Sequence, residues 1–71
     1  MKKYILASVD GESMDVTINA YDTHEEAYAA MEREYNEYAE NEWCENADIS
    51  DNSAYATLDY DYLWQIREFD F

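Results

Sequence analysis

The hydrophobic period of the chain changes as it runs. Residues 14–21, MDVTINAY, set Met14, Val16, Ile18 and Ala20 against Asp15, Thr17 and Asn19. Successive strand side chains point to opposite faces, so this alternation predicts a half-buried strand. The run before it, KYILASV (3–9), carries the aromatic and β-branched residues of a second strand. Asp10-Gly11, in the DGES between them, is a hairpin signal because both residues tolerate positive φ.

After Tyr21 the period becomes helical. Thr23 followed three residues later by Glu26 forms a capping box. It predicts a helix over 24–41, with Ala27, Ala30, Met31, Tyr35 and Tyr38 on one face and Tyr28 at its margin. Glu26, Arg33, Glu37 and Glu40 point the other way. CENADISDN (44–52) reads as a polar loop. SAYATLDY (53–60) and YLWQIREF (62–69) form a second strand pair turning at DYD. Ala54, Ala56 and Leu58 line one side of the first; Tyr62, Trp64 and Ile66 line one side of the last.

The expected fold is therefore α+β in ββαββ order: a four-stranded, mainly antiparallel sheet with one helix packed on one face. Its 71 residues suffice for a single domain, 1–71. One helix covers one sheet face only. With Ile5, Ala7, Val9, Trp64 and Ile66 beneath the helix, the open face holds Tyr4, Leu6, Tyr55, Leu63 and Phe69. An apolar face of that extent is a homodimer surface or a site for another protein.

Charge changes the picture. The formal net charge is −14, from 18 acidic and 4 basic residues. Such self-repulsion works against a compact state. Leu, Ile, Val and Phe are scarce, a mark of disorder when charge is high. Against that, the eight Tyr, two Trp and three Met supply apolar area, and one Gly with no Pro is unlike a disordered tail. The sequence is expected to fold.

The chemistry of catalysis is sparse. His24 is the only histidine and Cys44 the only cysteine, so neither a nucleophile–base pair nor a zinc set can be assembled. His24 is expected to pack and hydrogen-bond locally, and Cys44 to be an ordinary thiol. DISDNS (48–53) has the alternating donors of a calcium loop but lacks its glycine and distal glutamate. No enzyme activity, cofactor or metal is expected. Direct nucleic-acid binding is disfavoured, since affinity there comes from cations meeting phosphates, and anionic membranes repel the chain for the same reason. The N-terminal apolar run is too short for a signal peptide, and one cysteine makes no internal disulfide. A cytoplasmic location is the expectation.

A surface of one sign steers towards the other. Glu34, Glu37 and Glu40, continued by Glu42, Glu45, Asp48 and Asp51, rise at a spacing comparable to that of DNA phosphates, with Trp43 among them. Asp59 and Asp61 add a second acidic turn. These ten residues are the expected contact set for a basic protein surface, that of a nucleic-acid-handling protein. In size, acidity and α+β layout the chain resembles the anti-restriction and anti-CRISPR proteins of phages and mobile elements, several of which are DNA mimics. The resemblance lies in composition and layout, not in a shared motif. It implies a non-enzymatic inhibitor acting by mimicry. The alternative is a small interaction module or homodimer subunit using the open sheet face.

Overall fold

A computed structural model describes residues 1–70. The elements run β1 (Lys2–Asp10), β2 (Asp15–Tyr21), α1 (His24–Ala39), β3 (Asn46–Ile49), β4 (Ser53–Thr57) and β5 (Asp61–Asp70). All strand pairings are antiparallel, in one five-stranded sheet of order β2-β1-β5-β4-β3. The α+β class stands as expected, but the sheet has a fifth strand. Residues 46–49, expected in a polar loop, pair with β4 and tuck Ala47 and Ile49 against the core. Only those two apolar side chains mark the strand, in a stretch otherwise rich in turn-forming polar residues.

The sequence starts the helix cleanly. Thr23 is its N-cap, and its Oγ1 accepts from the Glu26 N–H at 3.2 Å, satisfying an amide that has no helical partner. Acidic Glu25 and Glu26 lie in the first turn, favourable to the helix dipole, but no basic residue stands in the last turn. The buried stripe is Ala27, Ala30 and Met31. Small Ala27 and Ala30 face a sheet that itself offers Ala54 and Ala56, so the two layers approach closely. Tyr38 stacks on Tyr62 at 4.2 Å between ring centroids and leans on Trp64 at 5.6 Å, while Tyr35 meets Trp64 edge-on at 6.2 Å. Aromatic rings thus do the work that branched aliphatics do in larger cores.

The register corrects the expected division of the sheet. Leu6 sits opposite Ile66, and Ser8 opposite Trp64. Leu6, Trp64 and Ile66 therefore share the helix-facing side, where Leu6 is fully buried and Tyr4 is half-buried against the core. Neither Tyr4 nor Leu6 belongs to the open face, and Ile5, Ala7 and Val9 do. The reason is that β1 lies inside the sheet, between β2 and β5, and carries apolar residues at both parities. Its own pattern does not say which set goes under the helix. The open face retains Tyr55, Leu63 and Phe69, all exposed, and gains Val16 and Ile18 of β2. Val16 is 59% and Ile18 65% exposed, so β2 buries little of its alternating stripe. No helix among the described residues is long and apolar enough to cross a membrane.

The register makes a direct prediction. Leu6→Ala should cost about 2–5 kcal/mol in urea unfolding, as for a fully buried leucine, whereas Leu63→Ala, compared at a protein concentration low enough to keep the chain monomeric, should cost under about 1 kcal/mol. Equal losses would contradict the assignment of β1 faces.

Candidate functional site

The helix runs back along the sheet, and its two ends differ in charge. At one end lie the start of β1, the end of β5 and the helix N-terminus. The ion pairs here join the N-terminal amine to Asp70 at 3.3 Å, Lys2 to Glu68 at 3.2 Å, and Lys3 to Asp22. Lys2, and then the Tyr4 hydroxyl, hold the Glu68 carboxyl below its ordinary range. Arg67 belongs to this end as well.

At the other end lie the β1–β2 turn, the β4–β5 turn and the helix C-terminus. Asp10 pairs with Asp15 across the hairpin and with Tyr62 on β5. Gly11 lies against Asp61, where a Cβ would collide with the Asp61 carbonyl oxygen; the two turns touch because glycine has no side chain. Asp10, Glu12, Asp15, Glu34, Glu37, Glu40, Glu42, Glu45, Asp59 and Asp61 gather here, more than half of the 18 acidic residues. From residue 34 to residue 66 the chain has no Lys or Arg. The result is an anionic pole opposite an ion-paired one.

The expected contact residues divide accordingly. Glu37, Glu40, Glu42, Glu45, Asp59 and Asp61 are exposed at the anionic pole. Trp43, in the turn after the helix, is 72% exposed among them; its backbone N–H donates to Asn41 Oδ1 at 2.8 Å. Asp51 is not there. After Trp43 the chain reverses, with the Glu45 N–H donating to the Thr57 carbonyl, and β3 runs back to the other end. Asp48 therefore projects from the edge strand on the open face, opposite Tyr55, and Asp51 lies beside His24. The expected continuous acidic run ends at Glu45, and the β1–β2 and β4–β5 turns replace its remainder. Asp10, Glu12 and Asp15 were absent from the expected set. The hairpin signal at Asp10-Gly11 was legible, although the positive φ expected there falls on Met14 instead, and its position beside the helix C-terminus depends on the strand order.

Glu34 departs from the expected ridge. It sits on the helix stripe between Ala27 and Tyr38 and leans into a groove lined by Ser8, Asp10, Thr17, Tyr38 and Tyr62. Partial burial pushes its carboxyl up; neighbouring Arg33 opposes the shift and Glu37 adds to it. Burial also raises the Tyr38 and Tyr62 phenols, with the negative field of Asp10 next in each case. Ser8 Oγ is buried at the same groove without a hydrogen-bond partner among the described residues. This side of the helix is destabilised by its own charge.

The other candidate groups make local contacts. The His24 Nε2–H donates to the Asp51 carbonyl at 2.8 Å and lies 3.0 Å from Asn52 Oδ1. The ring packs edge-on to Tyr4, so it ties the β3–β4 turn to the helix start. Cys44 Sγ donates to the Asn46 carbonyl at 3.3 Å. Among the described residues no three His, Cys, Asp or Glu side chains converge as metal ligands would.

Comparison with protein-family models, with curated proteins and with solved structures finds no significant match. What the pole can do therefore follows from its own charge and geometry. Two measurements check that electrostatic picture. The thermal midpoint should rise as NaCl is raised from low to physiological ionic strength, because salt screens like charges; a flat or falling midpoint would contradict it. Glu34 has a folded pKa above its unfolded one, so its contribution is present at low pH and lost as pH rises through the folded value. Glu34→Gln should therefore stabilise the fold at neutral pH, and this advantage should vanish in acid, where Glu34 is protonated in both states.

Proposed function

We propose that the protein is a non-enzymatic inhibitor or regulator that docks its anionic pole onto the basic site of a nucleic-acid-handling protein, in the manner of a DNA mimic. One observation carries this reading: ten carboxylates gather at one end with Arg33 as the cation beside them, while the ion pairs seen lie at the other end. Like charges held together cost stability, and a cationic partner that replaces water around them recovers that cost on binding.

The pole also has an anchor. Trp43 is flanked by Glu42 and Glu45, and a large exposed aromatic ring within a charged rim matches the usual composition of a binding hot spot. An arginine-rich surface suits both parts: guanidinium groups pair with carboxylates and stack on indole rings. The acidic composition and α+β layout shared with anti-restriction and anti-CRISPR proteins favour a partner that acts on nucleic acid.

Capture from a cell lysate at low salt should recover basic nucleic-acid-binding proteins, and elution should follow added salt. Recovery of only neutral or acidic partners, or salt-independent binding, would refute the proposal. With the captured partner in hand, Glu37→Lys, Glu40→Lys and Glu42→Lys together should lower the association rate at least about tenfold at low salt. Trp43→Ala should instead raise the dissociation rate, by about tenfold or more. Both effects are measurable by surface plasmon resonance.

A further inference from the structure

The open face of the sheet differs from the rest of the surface in charge. Its outward-facing charged positions on the strands are Lys3 and Arg67 towards one end and Asp48 and Asp61 towards the other, as the register fixes. They sum to zero, in a chain whose net charge is −14. Between them the register aligns an apolar row across four strands: Val16, Val9, Leu63 and Tyr55. Ile18 and Ala7 form the next row. The region around Ala7, Leu63 and Tyr55 is a shallow, mainly apolar depression. A solvated face of a protein this acidic has no reason to be uncharged at its centre and balanced at its rim.

We propose that this face binds a second copy of the same chain, sheet against sheet, with strand directions reversed by a two-fold axis passing close to Ala7 and Gln65. Four features select that occupant and that orientation. Sheets pack face to face with strands nearly aligned, at a separation of about 10 Å. With Ala7 near the axis, the Ile5 row of one copy covers the Val9 row of the other. Lys3 then lies over Gly11 of the second copy, one strand from its Asp61, and Arg67 lies over Leu63, in the row that ends at the other copy's Asp48. A parallel arrangement would instead set like charges together.

Size fits as well. Strands about 4.8 Å apart, with β1 and β5 running about 3.3 Å per residue, give a face of roughly 20 by 30 Å before side-chain relief is counted. That approaches the ~800 Å² per partner of a standard interface. The reversed orientation also sends the two anionic poles to opposite ends. The molecule is 41 Å long, several times the ~8 Å screening length at physiological salt, so the poles repel little across the dimer. Lys3 already pairs with Asp22 of its own chain, but an acidic foreign partner would oppose Asp48 and Asp61 and a neutral one would leave Arg67 and these carboxylates unmatched; the second copy sets the cationic end over the anionic end.

Sedimentation equilibrium on the full chain, at physiological salt and micromolar to submillimolar concentration, tests the proposal. The mass should approach twice the 8.4 kDa of the chain. Leu63→Asp, and separately Tyr55→Asp, should yield folded monomers, with far-UV circular dichroism unchanged because both side chains are exposed. Asp61→Lys should weaken the dimer at least about tenfold although it reduces net negative charge, and adding Lys3→Glu should restore it, as expected for a coupled pair. A wild-type monomer at every concentration would overturn the proposal. So would a dimer that survives both aspartate variants yet is lost on Thr17→Pro at the β2 edge, which would mark edge-to-edge strand pairing. Failure of Lys3→Glu to restore association would overturn the reversed orientation.

Discussion

A single 16-residue helix must close the core of a five-stranded sheet. Most of the molecule follows from that constraint. The helix can cover one face, so the buried cluster is thin and depends on close contact: alanines where the layers meet, and Tyr35, Tyr38, Tyr62 and Trp64 interlocked beside them. Fully burying a large apolar side chain is worth about 1.5–3 kcal/mol, and among the described residues Leu6 and Met31 are the largest so buried. Around them Tyr62, Trp64, Ile66 and four alanines are buried, and Tyr35 and Tyr38 are half-buried. A core of this kind leaves little margin for unfavourable charge.

The charge is nevertheless heavily unfavourable, and its arrangement matters more than its amount. Cations collect where β1 begins and β5 ends, and there they form ion pairs. Exposed pairs of this sort contribute little to stability. Their effect is to leave Arg33 as the cation beside ten carboxylates at the opposite end. The helix C-terminus, two turns and the groove at Glu34 all carry acid where the helix dipole or partial burial disfavours it. A chain selected for stability alone would move a lysine into that last helical turn. The cost is concentrated at one pole, where the proposed docking of a cationic partner would recover it.

The sequence made the helix legible, because Thr23, Glu26 and the Ala27–Tyr38 stripe agree on one start and one face. The last strand was equally plain, since Tyr62, Trp64 and Ile66 alternate with polar neighbours. Two things were not. A four-residue strand with two small apolar positions, Ala47 and Ile49, looks like the polar loop around it. The face of β1 was ambiguous because both of its parities are apolar, and only pairing with β5 puts Leu6 under the helix. The acidity of 32–51 was obvious, but not its shape. The reversal after Trp43 carries Asp51 away, and the hairpin brings in Asp10, Glu12 and Asp15, which the order of strands decides and local patterns do not.

The central claim is that the protein has one coherent anionic pole. Titration with a short arginine-rich peptide, followed by backbone amide chemical shifts, tests it most directly. Perturbations should concentrate in residues 10–15, 37–45 and 59–61, with the Trp43 indole N–H among the strongest. Shifts spread evenly over both ends, or centred on residues 22–26 and 68–70, would contradict the account.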